Sequence, residues 1–251
     1  MGNTIQYPKP NTRKNFITKR LLAVLTLTIG TTIGTGLLII LTNLQFSNAL
    51  TANPAPKPHP LPPTLAQWQD ETNSGDYFSQ IATTEVGYLV WSQFPVKVYI
   101  KRPQTINQEQ AQTWVNSILK TVQEWNNYLP LIVVEQPEIA DITIERKTPP
   151  LELSRENKIP RARSALTRYE LYTSNNVLLH RFTILLSPSQ TGDYLLAASR
   201  HELGHALGIW GHSSLQTDAL YFSQVRNPPP ISPRDVNTLK RVYQQPTALG
   251  W

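Results

Sequence analysis

Between His201 and His212 the chain places three of its five histidines, within the run HELGHALGIWGHS that ends at Ser213. His201 and His205 are four residues apart, so one turn of α-helix sets both imidazoles on the same face, where their nitrogens can grip one divalent ion. Glu202, beside the first histidine, can reach a water on that ion. Zinc lowers the pKa of such a water toward about 7, and the carboxylate then takes its proton during attack on a carbonyl. A catalytic zinc site uses three protein ligands and leaves one position open, so a third ligand is required. No glutamate follows Glu202, and the only acids downstream are Asp218 and Asp235. His212 is therefore the leading candidate, with Asp218 in reserve. The His-Glu-x-x-His pattern alone can arise by chance on a surface helix, but here it continues through Gly208 and His212. The chain has no cysteine, which excludes thiolate ligands, disulfides and a cysteine nucleophile.

The elements that must position these residues are legible in outline. Helical spacing extends back from the motif through YLLAASRHELGHAL, with a start near Thr191-Gly192-Asp193 and Asp193 as a cap. Upstream, Val96–Lys101 (VKVYIK) reads as a strand by its β-branched and aromatic content. A helix follows, opened by Asn107 and Gln110 and carrying Trp114, Val115, Ile118, Leu119, Val122 and Trp125 at helical spacing, a stripe suited to a sheet. Leu131–Gln136 and Ala140–Arg146 read as two short strands, the second alternating apolar with polar residues. Residues 146–163 are basic, proline-containing and without apolar period, so they read as a solvated loop. ALTRYELY and VLLHRFTILLS flank Thr173-Ser174-Asn175-Asn176 and predict a β-hairpin, with His180 alone in mid-strand as a packing residue rather than a ligand. The last helix has Ser232 as N-cap, Pro233 at N1 and Asp235 at N3.

The net charge of +6 is concentrated at one end: Lys9, Arg13, Lys14, Lys19 and Arg20 supply five positive charges in an acid-free stretch, leaving +1 for the rest. A nucleic-acid partner is thereby disfavoured. Leu21–Leu44 contains no charged residue, and at 1.5 Å per residue a helix of that length spans a bilayer core of about 30 Å. The expected organisation is a basic cytoplasmic N-terminus over 1–20, a transmembrane anchor over 21–44, a proline-rich stalk over 45–64 and a folded domain over 65–251 on the far side of the membrane. Six prolines in Asn53–Pro63 favour an extended, semi-rigid stalk. A secreted domain is the alternative, since Ser47-Asn48-Ala49 offers small residues for signal cleavage.

The residues around the histidines resemble the metzincin zinc endopeptidases, and within them the matrixin-like group. HELGHALG, His201 to Gly208, is similar to the start of the family motif, where the glycine turns the chain so that a third histidine returns to the metal. His212-Ser213 resembles the matrixin His-Ser pair, Asp218-Ala219-Leu220-Tyr221 the segment around the Met-turn, and ISPRDVNTLKRVY the closing helix, so that the likeness covers about Pro95 to Gln245. It implies an α+β, zincin-like fold: a twisted, mixed five-stranded sheet packed on long helices, with an active-site helix and a C-terminal helix. It also implies one catalytic Zn²⁺ held by His201, His205 and His212, Glu202 as general base, and a polypeptide substrate lying antiparallel to the hairpin's edge strand, in a pocket beside Leu220 and Tyr221. Two departures stand out. Gly211 occupies the family's third-histidine place and His212 comes one residue later, an insertion that unusual φ/ψ angles at Gly211 would absorb. The Met-turn methionine is missing, since Met1 is the only methionine, and Leu220 takes its place as an apolar floor. The propeptide-cysteine latency of matrixins is excluded, a structural zinc has only His59 and His180 left to hold it, and no calcium motif stands out. The function expected is that of a membrane-anchored zinc endopeptidase; the alternative is a catalytically inactive zinc-binding or protein-binding domain on the same fold.

Overall fold

A computed structural model of the chain describes residues 54–153 and 160–251. Strands β1 (Val96–Lys101), β2 (Leu131–Val134), β3 (Ile142–Arg146), β6 (Ala165–Ser174) and β7 (Val177–Leu186) form one sheet in the order β2-β1-β3-β7-β6. All neighbours in it are parallel except β6, which pairs antiparallel with β7 and forms one edge. The hairpin turn is shorter than the sequence signal: Thr173 and Ser174 stay in β6, and Asn175 and Asn176 alone make the turn, at φ of 50° and 62°. Asparagine tolerates that left-handed region better than most residues, and a two-residue turn of this hand suits the twist of the strands. Where a loop was expected, β4 (Glu152–Leu153) and β5 (Pro160–Arg161) pair as a small antiparallel ribbon.

Among the described residues four α-helices accompany the sheet: α1 (Pro63–Gln67), α2 (Gln108–Asn126), α3 (Gly192–Ala206) and α4 (Pro233–Tyr243). α2 begins where Asn107 accepts a hydrogen bond from the Gln110 N–H, and it buries Trp114, Ile118, Val122 and Trp125, spaced as one stripe. That stripe joins Val96, Val98, Ile142, Ile144, Phe182 and Ile184 of the sheet in one apolar core. α3 packs against both α2 and the hairpin. Polar contacts set the two helices in register: the Trp125 indole N–H donates to the Arg200 carbonyl at 2.9 Å, and the Thr121 and Ser199 hydroxyls meet at 2.7 Å. Contrary to the sequence expectation, Asp193 does not cap α3. Thr191 holds the N-cap position without a side-chain bond, and Asp193 lies in the first turn, where a negative charge complements the helix N-terminus.

The segment before β1 belongs to the domain. Leu65, Tyr77, Ile81, Val86, Leu89, Val90 and Trp91 are all buried, and the Trp91 indole N–H donates to the Ala206 carbonyl at 2.9 Å. The stalk also ends earlier than expected. Lys57 exchanges two backbone hydrogen bonds with Thr247, and His59 donates through Nε2 to the Leu249 carbonyl while its ring stacks on Trp251 at 4.4 Å. Proline removes backbone donors, but Lys57 between two prolines keeps its own, which suffices to dock an extended segment on the C-terminal residues. The expected anchor over 21–44 lies outside the described residues; among those described, no helix is long and apolar enough to cross a membrane.

Candidate metal centre

α3 carries His201, Glu202 and His205, and it ends directly after them. Leu207 is the C-cap and Gly208 follows at φ +128°, with any Cβ there only 2.9 Å from the Leu89 carbonyl oxygen. Both the backbone angle and the close approach call for glycine. Tight turns through Ile209–Gly211 then bring His212 back over the helix. The ligand nitrogens of His201, His205 and His212 lie within 4.8 Å of one another, the one such trio among the described residues.

Hydrogen bonding decides which nitrogen each buried ring presents. A carbonyl oxygen only accepts, so the 2.9 Å contact of His201 Nδ1 with Ala219 and the 2.7 Å contact of His205 Nδ1 with Ile209 place the proton on Nδ1 in both. Burial, aided by the neighbouring histidine, pushes His201 down to about 4, and burial pushes His205 down to about 4 as well, so both rings are neutral at pH 7. Their Nε2 atoms then carry lone pairs and face each other at 3.1 Å, with no proton between them. Two acceptors at that distance are satisfied by a cation. Nitrogens about 2.0–2.1 Å from a tetrahedral zinc lie about 3.3–3.4 Å apart, close to the separation here. His212 is the most open of the three, and desolvation lowers it too. The donor set, three neutral imidazoles and no thiolate, fits zinc.

Glu202 is buried on the same helix, and the Thr167 hydroxyl of β6 donates to its Oε2 at 2.6 Å. Burial raises the Glu202 carboxyl, while the His201 ring and the Thr167 hydrogen bond pull it back. A cleft of about 860 Å³ exposes His201, Glu202, His205 and His212, bordered by Arg163–Thr167 and by Tyr221, Phe222, Pro228 and Pro229. Arg200, whose side chain is 7% exposed, ties this border to the core: it forms a two-pronged ion pair with Glu124 and donates to the Pro229 carbonyl.

The reserve ligand has another task. Asp218 is fully buried; its Oδ2 accepts from the Ser213 hydroxyl and from Arg234 Nε at 3.1 Å, and its Oδ1 from Ser232 at 2.8 Å. Asp235 completes the loop's anchorage. It caps α4 together with Ser232 and accepts the Ala219 N–H at 2.8 Å, and Ala219 in turn holds His201. Leu220 does not line the cleft as expected; it is wholly buried, and a Cβ at Gly204 of α3 would meet it at 2.7 Å. Tyr221 does line the cleft, beside Phe222. Gly211 also differs from expectation. The positive φ falls at Gly208, and Gly211 is glycine because a Cβ would collide with the Gln80 carbonyl oxygen at 2.2 Å.

Sequence reasoning missed Thr167, the bond of Ser213 to Asp218 and the second role of Asp235. Only the Ser232–Asp235 capping signal pointed near one of them; Thr167 looks like any strand residue until the hairpin's register sets it against α3. Comparisons with protein-family models and with curated proteins return no match.

Proposed function

We propose that the chain is a membrane-anchored, zinc-dependent endopeptidase with a zincin-like, matrixin-like domain, hydrolysing peptide bonds of proteins outside the cytoplasm. The observation that carries this reading is the pair of neutral, Nδ1-anchored imidazoles aiming two lone pairs at one point, with His212 adjoining and Glu202 buried alongside. His201, His205 and His212 would hold the zinc ion, and the chemistry it would supply there is Lewis acidity toward a water, whose pKa would fall toward about 7, and toward a substrate carbonyl.

The residues of the chain do the rest. The Glu202 carboxylate takes the proton of the attacking water and passes it to the leaving amine, and its desolvation makes it a stronger base than an exposed glutamate. Thr167 occupies Oε2, which fixes the carboxylate's orientation and leaves Oε1 for the proton transfer. β6 is the edge of the sheet, and Ala165–Thr167 line the cleft, so an extended peptide can add to that edge by main-chain pairing with little demand on its sequence.

The purified chain is expected to hold one zinc and to cleave an unstructured protein such as casein. Glu202→Gln should keep the zinc and lose about 10²–10⁴-fold in cleavage rate. A Glu202→Gln chain that cleaves at the wild-type rate refutes the mechanism, and a wild-type chain that holds zinc without cleaving any peptide favours the non-catalytic binding domain.

A further inference from the structure

Two remote backbone segments approach closely directly before the third histidine. A Cβ on Gly211 would stand 2.2 Å from the Gln80 carbonyl oxygen and 3.0 Å from Ile81 Cα, all backbone atoms with little room to yield. Ile81 and Gly211 form an antiparallel bridge, and the Ala82 N–H donates to the Trp210 carbonyl at 2.9 Å. The segment 77–82 is itself held firmly: Tyr77 is buried, donates its hydroxyl to Asp235 and donates its backbone N–H to the Thr238 hydroxyl at 3.0 Å. His201 and His205 each have a carbonyl that orients their ring, whereas among the described residues nothing hydrogen-bonds the His212 ring. The position of His212 therefore depends on its backbone, which is held just after it by the pairing of Ser213 with Leu220 and Phe222 and just before it, at Trp210–Gly211, by residues 80–82.

We infer that the segment Tyr77–Ala82 is part of the metal centre: a strap that positions the third ligand by pairing with Trp210–Gly211. This rests on the zinc reading above and extends it to residues that lie some 130 positions before His212. The strap also accounts for the late histidine, because the added residue at Gly211 is the one that pairs with it.

The test uses the full chain in detergent, with zinc affinity from competition with a chelating dye and the visible spectrum of the Co²⁺-loaded protein as a reading of ligand number. Gly211→Ala forces the strap and the ligand segment apart. Partners that orient metal ligands typically contribute 10–100-fold to metal affinity, and a loss of about that size is expected here, with a Co²⁺ spectrum like that of His212→Ala. The decisive comparison is a cycle: in a His212→Ala background, Gly211→Ala should weaken binding no further, because the ligand it positions is already gone. Ala82→Pro, which deletes the N–H donated to Trp210 without filling the gap, should behave alike and serves if Gly211→Ala does not fold. Wild-type affinity in both variants, or an equal loss with and without His212, overturns the strap. A wild-type chain that binds neither Zn²⁺ nor Co²⁺ overturns the zinc reading itself, a result seen before any strap variant is made.

Discussion

Replacing Thr167 by valine removes one hydroxyl and preserves the side chain's shape. That hydroxyl is buried and donates to Glu202 Oε2 at 2.6 Å, a charge-assisted bond on the floor of the cleft. A hydrogen bond to a charged group is worth about 1.5–3 kcal/mol. Its loss falls on the orientation and basicity of Glu202, since no other side chain is seen to bond that carboxylate among the described residues. At about 1.4 kcal/mol per tenfold, the proposed peptidase should lose about 10- to 100-fold in kcat/KM, mostly in kcat, because in the proposed mechanism the bond orients the base rather than the bound peptide. Burial already raises the Glu202 carboxyl, and the Thr167 bond is one of the contacts holding it down, so the acidic limb of the pH–rate profile should move to higher pH in the variant. Thr167→Ser keeps the donor and should restore both rate and profile. The assay is steady-state cleavage of a quenched-fluorescent peptide between pH 5 and 9, with zinc content measured beside it. A Thr167→Val chain with full zinc and an unchanged profile would show that Glu202 is oriented by something else.

Two further outcomes follow from groups outside the cleft. Glu124→Ala removes the counter-charge of the Arg200 guanidinium, whose side chain is 7% exposed, and breaks contacts of 2.7 and 3.0 Å while the bond to the Pro229 carbonyl stays; the expected loss is about 3 kcal/mol in urea unfolding, at the low end for a buried pair because Glu124 is partly exposed. A change under about 0.5 kcal/mol would mean that the pair does not anchor α3 to α2. His180 is 3% exposed, stacked on Trp91 at 4.0 Å, and pushed down to about 3 by burial. The unfolded chain therefore takes up its proton near pH 6.5 while the folded chain resists, so stability present above that pH is lost as pH falls toward 3, at about 1.4 kcal/mol per unit. Between pH 6.5 and 4.5 the wild type should lose about 2–3 kcal/mol more than His180→Phe in urea midpoints, and parallel curves would contradict the assignment.

Much of this protein is written in short-range pattern. Four-residue spacing places His201 and His205 on one helical face, the tryptophan stripe of α2 turns inward, and Ser232 with Asp235 opens α4 as its residue types require. These features depend on neighbours within one or two turns, which is the distance over which periodicity and capping act. The hairpin too is legible, though the two asparagines rather than four residues make its turn. What tertiary structure decided lies at long separation. The sequence puts His212 ahead of Asp218 as third ligand but keeps Asp218 in reserve; folding separates the two by surrounding Asp218 with Ser213, Ser232 and Arg234 and leaving His212 facing the other histidines. Thr167 meets Glu202, Ala219 orients His201 and the segment 77–82 meets Gly211 only because sheet register, loop anchorage and core burial bring them together. Most buried polar groups find a partner wherever packing places one, and no local spacing rule records where that will be.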